Sequence, residues 1–231
     1  MKLFYDFHIH SCLSPCGDDD NTPNNIVNMA LIKGLNVIAL SDHNTGKNCP
    51  AAMAAGKKNG LVVLPAMELT TSEDIHILCL FEKYEDLAKL ENHIQNTRLK
   101  IKNKPEVFGH QRILDENDEQ IGEEEHLLIV SSGISVEEVA ALVKGFGGIP
   151  VPAHIDKQAN GIVGILGSFD YNLGFEMIEC TVDSGVKLPQ ITDSDAHYLW
   201  DISEAEHFIE AESCSAHGVF AALKKMCRQG E

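Results

Sequence analysis

Apolar stretches of this chain end repeatedly in residues that bind metal ions. KLFYDFHI runs into His8 and His10, LNVIALSD ends at Asp42 with His43 beside it, and LVVLPAME ends at Glu68. IPVPAH ends at His154, and PQITDSD leads to Asp195 with His197 two residues on. His76 is looser, lying at the start of its run, IHILCLF. Residues i and i+2 of a strand point to one face, so His8/His10 and Asp195/His197 are two pairs, each able to hold a cation. Imidazoles mixed with carboxylates suit zinc, manganese or iron. Glu68 is the candidate to bridge two cations. A pair about 3.5–4 Å apart clamps a phosphoryl group and ionises a water. Any one histidine at a strand end is more often structural; the recurrence over six apolar runs is what favours a metal centre.

The elements that position these residues can be read from the same pattern. Residues 2–9, 35–42, 61–68 and 75–81 read as buried strands, and 149–154, 175–181, 189–195 and 207–213 as further candidates. Thr22-Pro23 starts a helix that Gly34 stops, and 50–60 is a helix closed by Gly60. A helical pattern covers Tyr84 to about Lys104, and Ser135 with Glu138 forms a capping box for another helix. The chain ends in an amphipathic helix at roughly 215–228. Strands alternating with helices predict a mostly parallel sheet, and this many strands in one domain favour a closed or distorted barrel. In such barrels the loops after the strands carry the chemistry, so one rim would collect the ligands. About 105–130 reads as a less typical insertion, a hairpin-like excursion, within a single domain spanning 1–231.

Composition sets outer limits. The chain has 231 residues, a size that suits one large α/β domain. Its seven cysteines are odd in number and irregularly spaced, which predicts reduced thiols in a cytoplasmic protein. The N-terminal stretch is too polar for a signal peptide, and no apolar run is long enough to span a membrane. Net charge is −17, from 35 acidic against 18 basic residues, and such a surface repels polyphosphate chains. No nucleic-acid polymer is therefore expected as a partner. A small anion is still admitted, because bound cations invert the field within one pocket. Oligomeric state is not legible.

DFHIHS (6–11), LSDHN (40–44), AMELT (66–70), VPAHID (151–156) and DSDAH (193–197) resemble the successive motifs of the PHP domain, the polymerase-and-histidinol-phosphatase superfamily of metallophosphoesterases. The resemblance implies an α/β fold, a distorted (β/α)7 barrel, holding two or three divalent ions. It assigns His8, His10, Glu68 and Asp195 to a first cation, Glu68, His76 and His154 to a second, and His43 and His197 to a third. Family members complete that third site with a His or Asp shortly after the HxH motif. This chain instead reads SCLSPCGDDD, two residues longer, with Asp18 the expected substitute and Asp19 or Asp20 the alternatives after a register slip. Cys16 could reach such a site as a soft ligand, but a loop thiol is the preferred reading. Asp6 would share the face of His8 and His10 and either orient one of them or serve as a solubilising charge.

The function this implies is hydrolysis of a small phosphorylated metabolite, a phosphomonoester or nucleotide, by attack of a metal-bridging hydroxide. Asp42 or His43 would handle the leaving-group proton if the third cation is absent. Lys157 and Arg112 are the candidate phosphate anchors, Arg112 as part of a lid. Rival readings are a C–N hydrolase on the same metal architecture, a proofreading exonuclease, and a non-catalytic metal-stabilised scaffold. Lysine or arginine near the metals would favour phosphate over the C–N reading, and the acidic balance with no aromatic–basic stripe argues against strand binding.

Overall fold

A computed structural model describes residues 1–228. In chain order the elements are β1 (Lys2–Ile9), α1 (Pro23–Ile32), β2 (Val37–Leu40), α2 (Cys49–Asn59), β3 (Val62–Thr70), β4 (His76–Leu80), α3 (Tyr84–Thr97), α4 (Pro105–Phe108), β5 (Arg112–Leu114), β6 (Gln120–Glu123), α5 (Val136–Gly145), β7 (Ile149–Pro152), α6 (Ile162–Leu166), β8 (Ile178–Glu179), β9 (Gln190–Ile191), β10 (Phe208–Glu210) and α7 (Ala216–Cys227). The helix boundaries follow local chemistry. The Thr22 hydroxyl accepts from the Asn25 amide ahead of Pro23, Gly60 closes α2 at φ 80°, and the Ser135–Glu138 capping box opens α5. The helix α3 stops at Thr97, short of the expected Lys104, where Arg98 turns into extended backbone and sends its guanidinium to the buried Glu124.

The main sheet has the order β10-β1-β2-β3-β4-β7, with β8 and β9 paired separately. β1, β2 and β3 are parallel, as expected of strands joined by crossover helices. β4 returns antiparallel to β3 with Thr70 opposite His76, and β7 is antiparallel to β4. That reversal explains His76: the start of an antiparallel strand lies at the same rim as the ends of its parallel neighbours. The sheet curls. Ile155 donates to the Glu179 carbonyl beyond β7, and Ala196 exchanges backbone bonds with His8 and His10 at the end of β1. The elements do not repeat as seven equal strand–helix units, since a tight turn joins β3 to β4 and β10 runs antiparallel to β1.

Two apolar clusters hold the curl. One joins the sheet to α1, α2, α3 and α5 through residues such as Ile26, Val27, Ala52, Leu87, Leu90 and Val139. The other fills the concave side with Tyr5, Phe7, Leu64, Ala66, Leu78 and Val151, closed by Val219, Phe220 and Leu223 of α7. Strict alternation along β1 would send His8 away from the face of Tyr5 and Phe7. A register shift between Asp6 and Ile9 breaks it. Phe7 belongs to the concave cluster and Ile9 to the helix-side one, so His8 and His10 meet the concave rim. Asp6 therefore does not share their face. Its carboxylate accepts from the backbone amides of His8, Ser194 and Ser203.

Candidate metal centre

Glu68, near the end of β3, lies at the focus of the rim. Its Oε1 is 3.3 Å from His8 Nε2, 2.8 Å from His76 Nδ1 and 3.2 Å from His154 Nε2. Its Oε2 is 3.4 Å from His10 Nε2 and 3.1 Å from His43 Nδ1. Asp195 Oδ1 completes one group at 3.4 Å from His8 Nε2 and 3.3 Å from His10 Nε2. A tetrahedron with metal–ligand arms of about 2.0–2.1 Å has edges of roughly 3.3 Å, so His8, His10, Glu68 and Asp195 are spaced as the ligands of one cation. His43, Glu68 and His76 form a second convergent group.

The lone pairs are left free. His8 Nε2, His10 Nε2, His43 Nδ1 and Glu68 Oε2 are all buried with no hydrogen-bond partner. An orphaned buried polar atom costs about 1–3 kcal/mol, and four at one focus fit a site built for ions. The tautomers agree. His8 Nδ1 is 2.8 Å from Glu179 Oε2 and so donates to that carboxylate, which leaves Nε2 as the ligand atom. His10 Nδ1 donates to the Ser14 hydroxyl at 3.0 Å, and that hydroxyl donates to Asp42. His197 Nδ1 donates to the Asp195 carbonyl at 2.8 Å. Strain gathers here as well: His154 and Asp195 hold left-handed φ of 31° and 53°, a conformation that the surroundings must enforce on a non-glycine residue.

Electrostatics divide the histidines. Burial disfavours charge on His8 and His10, but Glu179, Glu68 and Asp195 outweigh it around His8, while the neighbouring Asp195 and Glu68 carboxylates outweigh it at His10. The pKa of His8 is pulled well above the ordinary imidazole range and that of His10 up to about 9. Burial opposes ionisation of Glu68 and Asp195, yet the surrounding imidazoles hold both carboxyls well down. Burial dominates at His43 and His197, whose pKa values fall. A cation held here would compete with the protons on His8 and His10, so its binding would release protons and weaken in acid.

The remaining sequence candidates divide. Lys157 lines the cavity and places Nζ 2.5 Å from Asp195 Oδ2; burial works against its charge, but that carboxylate raises its pKa. The cavity measures about 410 Å³ and is also lined by Asp74, Ile129, Ala159 and Asn160. Asp42 does not face it. Its Oδ1 accepts from the Ser11 amide and Ser14 hydroxyl and its Oδ2 from the Ser11 hydroxyl, so it braces the loop behind His10 instead of exchanging protons with a substrate. Arg112 does not reach the cavity either, because its guanidinium is engaged by the Asp19 carbonyl and carboxylate. Asp18 stays outside every ligand group. Its carboxylate accepts from the Asp20 amide, while Cys16 falls within 4.8 Å of His10, His43 and His197. Glu179 escaped the sequence reading, although an acid between Ile178 and Cys180, near the end of the strand candidate FEMIECT, is a signal that could have found it. Within residues 105–130, the two short strands β5 and β6 pair antiparallel as a hairpin.

A family model described as the PHP domain matches residues 6–177. A curated relative, the 5′-3′ exoribonuclease of Haemophilus influenzae, is 36% identical over 87 residues, which is 36% of this chain and 31% of that protein. Among solved structures, the lesion-specific endonuclease EndoQ of Pyrococcus furiosus superposes with a TM-score of 0.70 at 17% identity, over 97% of this chain and 56% of that one. An amidohydrolase from Chromobacterium violaceum with bound sulfate gives a TM-score of 0.56 at 17% identity, covering 96% of both chains. The chain thus spans about a third of the exoribonuclease and about half of the endonuclease. One comparison overturns an expectation. Endonuclease Q has been captured with a 27-mer duplex carrying an abasic lesion at its active site, and that chain shares this fold at a TM-score of 0.71 and 16% identity. Excluding nucleic-acid partners from a net charge of −17 therefore fails, because net charge sums the whole surface and a substrate meets the rim of one cavity.

Proposed function

The chain belongs to the PHP domain family of metal-dependent hydrolases, and from that premise we propose that it is a phosphoesterase that binds two or three divalent cations, zinc, manganese or iron, among His8, His10, Glu68, His76, His154, Asp195, His43 and His197. The observation that carries the reading is the set of free imidazole and carboxylate lone pairs around Glu68, spaced as metal ligands. Cations held there would lower the pKa of a water and take up the charge that develops on the phosphoryl oxygens. The protein supplies the rest. Glu179 and the Ser14–Asp42 pair keep the Nδ1 protons of His8 and His10 in place, so that Nε2 faces the centre. Lys157, bound to Asp195 and half exposed at the rim, offers a positive charge to a phosphate oxygen.

A lysine beside the ligands supports phosphate over a C–N bond, although a protein named as an amidohydrolase shares the fold. The cavity of about 410 Å³ suits a substrate of roughly mononucleotide size. We take that substrate to be a small phosphorylated molecule, a phosphomonoester or nucleotide. A second reading is the terminal nucleotide of a strand, favoured by the names of the exoribonuclease and endonuclease relatives. The test is elemental analysis of the purified protein followed by turnover of para-nitrophenyl phosphate, mononucleotides, 5′-phosphorylated oligonucleotides and peptides. Release of phosphate or nucleotide only with metal supports the reading. Peptide or amide turnover, or bound metal with no turnover of any phosphate ester, would sink it.

A further inference from the structure

The loop after β1 brings a thiol to the rim where the sequence offered three carboxylates. Ser14 accepts from His10 and donates to Asp42, and this anchors the loop at that point. Three residues on, Gly17 packs so closely that an added Cβ would lie 2.3 Å from the Ser11 carbonyl oxygen, which keeps the turn tight. Asp18 is then carried away, its amide bonded to the His197 carbonyl and its carboxylate to the Asp20 amide. Cys16 is left as the residue whose ligand atom lies within 4.8 Å of those of His10, His43 and His197. Two of these imidazoles are buried and carry an unpartnered nitrogen, His10 Nε2 and His43 Nδ1. His10 has one free nitrogen, and the first group already claims it. His43 stands near both Glu68 and Cys16, but His76 and His154 already flank the other Glu68 oxygen, so with His43 turned to the sulfur the rim retains one sulfur and two imidazoles.

We propose that Cys16, with His43 and His197, forms a thiolate-containing cation site beside the Glu68 centre, and that its sulfur makes this site select zinc over manganese. This rests on the metal-centre reading above and adds a ligand to it. Three protein ligands with a fourth position open is the arrangement of catalytic zinc sites, as with two cysteines and one histidine in alcohol dehydrogenase. Thiolate is a soft donor that favours zinc, whereas the carboxylate-rich group of His8, His10, Glu68 and Asp195 also accepts manganese or iron. On binding, the Cys16 thiol loses its proton to solvent and forms a sulfur–metal bond, with no change of oxidation state.

The experiment titrates metal-free full-length protein with cobalt(II) and follows the near-ultraviolet thiolate-to-cobalt charge-transfer band, with bound metal counted by elemental analysis. The expected result is a band in the wild type that is lost in Cys16→Ser and Cys16→Asp and kept in Asp18→Asn and Cys214→Ser. Cys16→Ser should also bind one fewer zinc per chain, and Cys16→Asp should regain a metal while losing the preference for zinc. Iodoacetamide mapping gives a second readout that needs no variant: zinc should protect Cys16 and leave the exposed Cys214 open to alkylation. Cobalt bound without the band, a band surviving in Cys16→Ser, or equal alkylation of Cys16 with and without zinc would overturn the thiolate site and leave the Glu68 centre standing. No cobalt or zinc bound at all would overturn both.

Discussion

His10 and His110 differ in most of what lets a histidine hold an ion. His10 is fully buried, its Nδ1 is held by Ser14, and its Nε2 has no partner. His110 is exposed on the excursion, with its Nδ1 paired to Glu123. The contrast extends to the two regions around them. At the rim, strained backbone at His154 and Asp195 supports side chains whose lone pairs converge unsatisfied. In the 98–130 segment, polar groups are used internally or as tethers. Arg98 and Lys47 both pair with the buried Glu124, Asn48 bonds Leu114 and Arg112, and Asp118 accepts from Thr22 and Asn24. The rim's polar groups are arranged toward a ligand, and the excursion's toward the fold. Residue type alone does not separate them; burial and the partner of the second ring nitrogen do.

Breaking the rim should have the largest effect. His8→Ala, which removes a proposed metal ligand and leaves Glu179 without its donor, is expected to reduce phosphoester turnover to background and to lower bound metal, with folding retained by circular dichroism. Full activity would remove His8 from the site. Glu179→Gln should be milder, about 10–100-fold in metal affinity or activity, because it loosens the orientation of His8 without deleting a ligand. A metal titration with a coloured chelator reads this directly, and wild-type affinity would show that Glu179 is only a packed acid.

In the excursion the effects should move from chemistry to stability. Arg98→Ala leaves Glu124 buried beside Lys47 alone and should destabilise the docked hairpin by about 3–5 kcal/mol. Hydrogen exchange at residues 112–124 should rise while metal content is unchanged; loss of metal would mean that the two regions are coupled. Acid should act in the same place. Burial opposes ionisation of Glu124, but Lys47 and Arg98 hold its folded pKa below the usual value. A depressed folded pKa stabilises fully above the unfolded value of about 4.3, and this is lost as pH falls through the folded one. Protection of the hairpin in the wild type should therefore decline in acid, and a flat profile would contradict the pairing. His110→Ala, the smallest change, should leave turnover, metal and melting temperature as they are.

The sequence shows the rim better than its supports. Buried strands that end in His, Asp or Glu stand out against apolar surroundings, and that signal groups His8, His43, Glu68, His154 and Asp195 from the sequence alone. It also marked the major helices and the hairpin. It failed where the outcome depends on loop geometry or on neighbours distant in the chain. The shift between Asp6 and Ile9 turns Asp6 away from the histidines, against the period-2 rule. The tight turn at Gly17 exchanges Asp18 for Cys16, and no spacing rule encodes that. Asp42, which ends its strand like a ligand, is consumed by Ser11 and Ser14. The strands expected at 175–181 and 189–195 form only two residues each, since they pair with each other and meet their neighbours through single bonds.

Anomalous-difference density, collected at the absorption edge of the bound metal from crystals of metal-loaded protein, tests the centre most directly. The account expects peaks about 2.0–2.2 Å from His8 Nε2, His10 Nε2 and a Glu68 oxygen, with a neighbouring peak shared by Glu68, His76 and His154. Clear density elsewhere in the molecule, with none among these side chains, would contradict it.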